Sequence, residues 1–326
     1  MHARVWRPLA AALAGLALAP GPSAAATGAG LTTDNDTPFP TSAVITGAAW
    51  TSARHHPPRN QFGDILSTSS LTGESLFVLM DDGGTGTSGG ALWRNSFAQV
   101  TGSPGALRFT RVGSSPPPAT WAQIGERPER WTGPLGSYYS MGFTVANRVF
   151  YATQAADWDW SSNGPFNGLA GIAYSTNQGR KWQFRRLPFA GPTGNLNFVQ
   201  QSSQGAAAGG YVYAISTERE FNAGTLILGR TRADVSDITN PGRWQWAAGS
   251  EPGAPDEVLW TSSVSQALPV LTWSGHITYP RMSYDAGLGR YLLTFTYSYA
   301  STPPAIWKNG SELVVLESPT PSGPFS

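Results

Sequence analysis

The sequence contains no cysteine. That excludes disulfide stapling and thiolate metal centres, so the fold has to be held by packing alone. Charge is also scarce: charged residues make up 13% of the chain, the net charge is +1, and no basic stretch occurs. Nucleic-acid binding therefore lacks its electrostatic footprint. No apolar run reaches the length needed to span a bilayer. After residue 30 there is no amphipathic pattern of helical period. The G-x-S-x-G elbow, the phosphate-binding loop, the dinucleotide fingerprint and H-E-x-x-H are all missing, so a serine hydrolase, a nucleotide enzyme or a catalytic zinc has no sequence context.

What the chain has instead is aromatic and turn-forming: 13 Trp, 11 Tyr and 14 Phe beside 38 Gly and 26 Pro. A near-neutral chain rich in Trp, Asn and Gly suits an uncharged polyhydroxyl ligand. Residues 1–26 read as a secretory leader, with Arg4 and Arg7 ahead of a short apolar core and small residues at Ser23-Ala24-Ala25-Ala26. The runner-up for this segment is an uncleaved N-terminal anchor. The expectation is export, secreted or periplasmic, with no membrane association once the leader is cleaved. Residues 27–44 read as a flexible segment and 45–326 as a single domain, expected to be a monomer.

The domain repeats one unit. Four apolar strand candidates begin at 76 (LFVLM), 148 (RVFYAT), 210 (GYVYAIS) and 290 (RYLLTFT). Each is preceded by another strand, at 63–70, 137–145, 194–202 and 276–284, and followed by a third, at 92–100, 168–175, 224–231 and 311–318. The runs are short, often alternate with a period of two, and are bounded by Gly, Pro, Asn and Ser, so the fold class is all-β. The spacing is too wide for a helical solenoid and suits the blades of a β-propeller. The fourth unit meets the C-terminus where an outer strand should be forming. The pattern therefore predicts a five-bladed type whose last blade is missing or incomplete.

One turn is specific. Ser175-Thr176-Asn177-Gln178-Gly179-Arg180-Lys181-Trp182 follows S-x-D-x-G-x-x-W with Asn in place of Asp. The hydroxyl and amide are expected to cap a turn, Gly179 to take positive φ, and Trp182 to pack between sheets. Looser copies occur at 240–244 and 321–325. This is the Asp-box of sialidase-like propellers, and it is expected to be structural, on the blade exterior.

The chemistry is expected in the loops that follow each second strand, which a propeller gathers at one end. In the first unit Asp64 opens the inner strand and Asp82 closes the next. A hairpin turning at residues 72–74 brings both to the same end of adjacent strands, where two carboxylates serve as acid and base or nucleophile in glycoside cleavage. The bland alternative is a turn cap and a partner for Arg54, Arg59 or a structural cation. The second unit carries Asp157, Trp158, Asp159 and Trp160, whose rings suit sugar faces and whose carboxylates suit hydroxyls; the alternative is a solvated or Ca²⁺-stabilised loop. The third carries Glu218, Arg219 and Glu220: Arg219 would keep one glutamate ionised and leave the other free to carry a proton, unless all three form a surface ion-pair ladder. His55, His56, Trp93 and His276 complete the substrate-binding candidates. No metal ligand set is assigned and no cofactor is called for, although a structural Ca²⁺ among the Asp-rich loops is compatible with the composition.

The segments NQFGDILSTSSLTGESLFVLMDDGG, STNQGRKW, TEREFNAGTLILGRT and YPRMSYDAGLGRYLLTFTYS resemble secreted bacterial propellers of the domain-of-unknown-function 4185 family, some of which are D-arabinanases. A more distant similarity is to five-bladed arabinanase-like glycoside hydrolases. The resemblance covers about residues 45–326 and implies that Asp64 and Asp82 stand where family members hold their catalytic acids. Asp81 departs from the glycine usual there, which implies like-charge repulsion on Asp82. It also implies a polysaccharide or oligosaccharide substrate of furanosyl-containing, arabinan-like type. Two further readings are a non-catalytic carbohydrate-binding propeller and a scaffold presenting its rim loops to a protein.

Overall fold

The structure, a computed structural model, describes residues 16–17, 37–47, 49–50, 61–72, 75–85, 93–103, 106–112, 139–155, 169–186, 189, 193, 195–201, 210–219, 221–298 and 311–326. It is an all-β propeller. A two-residue pair, β1 (Leu16–Ala17) and β2 (Ala49–Trp50), stands apart from the blades. Blade I is an antiparallel meander of β3 (Gln61–Thr72), β4 (Ser75–Thr85), β5 (Trp93–Thr101) and β6 (Arg108–Arg111). Blade II repeats it with β7 (Tyr139–Ala146), β8 (Val149–Ala155), β9 (Leu169–Ser175) and β10 (Gln183–Arg186).

Blade III comprises β11 (Asn195–Phe198), β12 (Tyr211–Thr217), β13 (Ala223–Arg232) and β14 (Gln245–Glu251). It gains a strand that the sequence pattern did not show, β15 (Ala254–Thr261), paired with β14. Blade IV is β16 (Leu271–Asp285), β17 (Arg290–Ser298) and β18 (Ser311–Ser318). Strand β16 belongs to two blades: residues 271–277 pair with β13 and residues 278–285 pair with β17. One helical turn, α1 (Val235–Ile238), is capped by the Asp234 side chain. Among the described residues no helix is long and apolar enough to cross a membrane.

The inner strands β3, β7, β11 and β16 stand side by side in that order. In their sheets β3, β7 and β11 are edge strands, and a buried edge with unpaired backbone groups is costly. Neighbouring blades supply the missing partners. Ser67 donates to the Met141 carbonyl at 3.0 Å, and the Val145 amide donates to Ser69 Oγ at 3.1 Å. Thr153 donates to Leu196 O at 2.8 Å, and Gln200 Nε2 donates to Phe143 O at 2.6 Å. Between blades III and IV the Gln200 backbone bonds to Met282 and Tyr284, making a parallel bridge to Ser283. Gly142 permits the approach of blades II and III, since a Cβ there would meet backbone atoms of Asn197 and Leu196 at 2.9 and 3.0 Å.

The faces of each blade are apolar because each strand feeds two seams. Phe77 and Leu79 pack into the core between blades I and II, with Phe97, Phe143 and Phe150. Their neighbours Val78 and Met80 point to the other face and are equally buried. This explains why the second strands read as unbroken apolar runs. Burying each such side chain contributes about 1.5–3 kcal/mol. With no disulfides available, these seams carry the stability.

At the outer edge the turn at 175–182 closes as its residues require. Gly179 N donates to Ser175 Oγ at 2.9 Å, Lys181 N donates to Asn177 Oδ1 at 2.8 Å, and Gly179 has φ of +81°. Trp182, 2% exposed, donates its indole N–H to Gly179 O and meets Phe97 edge-on. Trp244 and Phe325 are buried in the same way after the turns at 240–244 and 321–325. The Trp182→Ala variant is expected to lose about 3–5 kcal/mol, measured as a lowered urea midpoint. A change below about 1 kcal/mol would show that the plug is not holding the I–II seam.

Candidate active site

Strand pairing fixes which loops share an end. Gln61 lies opposite Thr85, Tyr139 opposite Ala155, Asn195 opposite Thr217, and Thr278 opposite Thr296. The start of every inner strand therefore meets the end of every second strand at one end of the ring. The loops singled out in the sequence leave from that end.

In blade I the register sets Asp64 opposite Asp81, with Asp82 next along β4, and sets Asp81 opposite Asn95 in β5. The sequence expectation put Asp64 and Asp82 at the same end of adjacent strands; in the backbone Asp82 follows the residue that lies opposite Asp64. Register shifts lie on both sides of Asp64, and bulges of this kind re-aim side chains at the rims of barrels and next to active sites. Trp93 begins β5 opposite Gly83 at the same end. His55, His56, Asp157, Trp158, Asp159, Trp160 and Glu220 lie outside the described residues.

Glu218 closes β12 at this end and is half-buried. Its carboxylate accepts from Gly224 N at 2.5 Å, Thr225 N at 3.2 Å and Thr225 Oγ1 at 2.8 Å. Both oxygens are thus engaged in stapling the β12–β13 loop. Arg219, next in the loop, is exposed and its carbonyl accepts from Thr217 Oγ1 at 2.7 Å. The loop locks onto blade IV: Asn222 N donates to Thr278 Oγ1 at 2.8 Å, and Phe221 meets Tyr279 edge-on at 5.1 Å. Both Asn222 and Tyr279 have φ of +50°. For an aromatic residue that conformation is strained and persists only where surrounding contacts impose it.

Sequence reasoning missed the polar ladder on the inner strands. Arg281 of blade IV donates through Nη1 to Asn197 Oδ1 of blade III and to the Pro280 carbonyl at 3.2 Å. Asn197 in turn donates to Asn195 Oδ1 at 2.7 Å. Asn195 and Asn197 are 0% and 1% exposed, and among the described residues Asn195 Nδ2 has no partner. The signal was the N-x-N of β11, where two amides occupy strand positions that packing alone would fill with apolar side chains.

His276 is half-buried two residues before this row. Its Nδ1 sits 2.6 Å from Ser274 O and so carries the proton, leaving Nε2 as acceptor in the neutral ring. The ring lies flat on Trp273 at 4.5 Å and 2°. Tyr297 leans on both rings and donates to Glu312 Oε2 at 2.9 Å. Phe39, from the N-terminal segment, closes the cluster against Trp273. Among the described residues no group of three or more His, Asp or Glu is placed to hold a metal ion.

No family model matches the chain, and no curated protein matches it in sequence. Solved structures to which it is similar include a putative hydrolase from Bacteroides ovatus, 14% identical, covering 81% of this chain and 68% of that one at a TM-score of 0.48. Another is an alpha-L-arabinofuranosidase from Podospora anserina in complex with cellotriose, 11% identical, covering 84% and 70% at 0.43. A third is a GH43_1 enzyme from Xanthomonas citri, 14% identical, covering 80% and 72% at 0.40. These neighbours are glycoside hydrolases or hydrolases by description.

The staple at Glu218 has a measurable signature. Glu218→Ala leaves the Gly224 and Thr225 amides without their acceptor, at a cost of about 1–3 kcal/mol. Hydrogen exchange at those two amides should rise at least tenfold, with protection elsewhere in β12 and β13 retained. Unchanged exchange would mean the carboxylate does not hold the loop.

Proposed function

We propose that this protein is a glycoside hydrolase acting outside the cytoplasm on a polysaccharide, using carboxylate acid–base chemistry at the end of the propeller where the second strands finish. The observation that carries this reading is the register of blade I, which sets Asp64 beside the Asp81-Asp82 pair at the same end as Glu218 and the Arg281–Asn197–Asn195 ladder. Carboxylate positions on blades I and III thus flank a polar floor. Carboxylates gathered at one end beside a polar inner-strand ladder support acid–base chemistry there.

Asp64 and Asp82 remain the reacting pair because the register shifts on both sides of Asp64 interrupt the simple alternation that would set it with Asp81 alone; the third carboxylate comes from the blade III loop. Because Glu218 is engaged by its own loop, Glu220 takes that third role and Glu218 positions it. The half-buried guanidinium of Arg281 supports recognition of sugar hydroxyls, and His276 and the start of β5 at Trp93 belong to the same end. The resemblance to D-arabinanase-like propellers of the domain-of-unknown-function 4185 family points to a furanosyl polymer as substrate.

A second reading has its own support. The occupied carboxylate of Glu218 is what a non-catalytic carbohydrate-binding propeller would also show. Release of reducing ends from arabinan and from cell-wall polysaccharide separates the two. Asp64→Asn and Asp82→Asn should each lower release at least a thousandfold, on the order of 4 kcal/mol of barrier, with unchanged melting. Wild-type rates in both variants would sink the catalytic assignment. Binding of the polymer without any release by the native protein selects the binding reading.

A further inference from the structure

At the opposite end of the ring, the faces of blades III and IV that look at each other carry different chemistry. In blade III, Tyr211 lies opposite Arg232, and Tyr213 opposite Arg230. Directly opposed residues share a face of the sheet. Farther along the same strands Ile215 and Leu228 share that face and pack into the core against blade IV. The tyrosines and arginines therefore continue the III–IV seam past its apolar part. Blade IV answers with Tyr284 and Tyr291, opposed in register and 5.0 Å apart.

The guanidinium of Arg230 lies 3.9 Å from the centre of the Trp260 ring and 4.6 Å from that of Tyr211, and its Nε donates to Gln245 Oε1 at 3.0 Å. Arg232 is exposed and lies 5.5 Å from the centre of the Tyr211 ring. A guanidinium stacked on a ring keeps its N–H edge directed outward, in the geometry that grips a carboxylate with two bonds. Among the described residues no carboxylate pairs with either arginine. Asp234 is occupied with the α1 cap, and Asp285 with the turn amides of Gly287 and Leu288.

A buried polar side chain stands beside this row: Gln201 is 7% exposed, and among the described residues neither its amide nitrogen nor its amide oxygen makes a well-formed hydrogen bond. It stands close enough to Tyr291 to favour ionisation of that hydroxyl, yet without the geometry of a formed bond. Burial outweighs this and pushes the Tyr291 hydroxyl above its ordinary range, so it remains protonated and able to donate. A buried amide with both ends unmet costs about 1–3 kcal/mol per group, and a polyhydroxyl ligand supplies the missing donor and acceptor together.

We infer that this seam is a second carbohydrate-binding site, separate from the candidate active site, and that it takes an acidic, uronate-bearing stretch of polysaccharide. The phenols and Trp260 offer sugar-facing surface, Gln201 offers hydroxyl recognition, and Arg230 with Arg232 offers the carboxylate contact.

Affinity electrophoresis of the whole protein in gels containing polygalacturonate, with neutral linear arabinan as the second polymer, tests this. Polygalacturonate should retard the wild type, and added salt should reduce the effect. Arg232→Gln and Tyr211→Ser alter half-buried or exposed groups, and their melting should match the wild type. Arg232→Gln should weaken polygalacturonate binding by about tenfold, the loss of one charge-assisted contact. Asp64→Asn, at the other end, should bind it as the wild type does. Unretarded migration of the wild type, equal binding by Arg232→Gln, or loss of binding in Asp64→Asn would each overturn the assignment.

Discussion

The rest of the structure depends on the contact between successive inner strands. Blades I, II and III each present a strand edge beside the axis, and a chain without cysteine has only hydrogen bonds and packing to close it. The hydroxyls of Ser67, Ser69 and Thr153 and the amide of Gln200 bridge those edges from one blade to the next. Individually each bond contributes about 1 kcal/mol net. Their larger effect is to fix the axial height of every blade, because an unmet buried carbonyl penalises any slip. Apolar packing in the seams supplies the bulk of the stabilisation, and the hydroxyl bridges supply the register.

Once the heights are fixed, the candidate site follows. The same end of each inner strand delivers Asp64, Asn195 and Thr278 to one level, and each meets the end of its hairpin partner there. Blades III and IV are coupled more tightly than I and II. Strand β16 pairs with both, the Asn222–Thr278 contact ties the loop of one to the strand of the other, and Arg281 reaches across to Asn197. The positive φ of Tyr279 falls where β16 passes from one blade to the other. The backbone strain there is the local consequence of making one strand serve two sheets.

The repeat was legible because its causes are local. Apolar runs, turn residues and a buried aromatic after each outer turn recur in the sequence itself, and Trp182, Trp244 and Phe325 occupy equivalent positions in space. Three features were not legible. Strand β15 contains Pro255, Asp256 and Glu257, which read as loop; its pairing to β14 alone frees it from the apolar demand of a central strand. The offset of Asp64 toward Asp81 comes from bulges that depend on neighbouring strands rather than on β3 itself. Asn195, Asn197 and Arg281 are polar at strand positions, and only their mutual contact across a seam makes them intelligible. Likewise the choice between Glu218 and Glu220 rests on loop closure, which places the Gly224 and Thr225 amides around the Glu218 carboxylate.

The two ends of blade III then have complementary demands on one strand. Strand β13 runs from Ala223, paired with Ile277 beside the candidate site, to Arg232, paired with Tyr211 at the far end. Its ten residues, at about 3.3 Å each, separate the two regions by roughly 30 Å of rigid, doubly paired backbone. A small sugar cannot touch both, and a stiff strand offers no second arrangement through which one end could signal to the other. Coupling between them therefore has to come through the ligand. A polymer held at the arginine end raises the local concentration of its own segments at the carboxylate end, with the gain set by the length and stiffness of the intervening chain. Under the two proposed sites, long polysaccharides would benefit from both ends and short oligosaccharides from one, so chain length, rather than a conformational switch, would link the two surfaces.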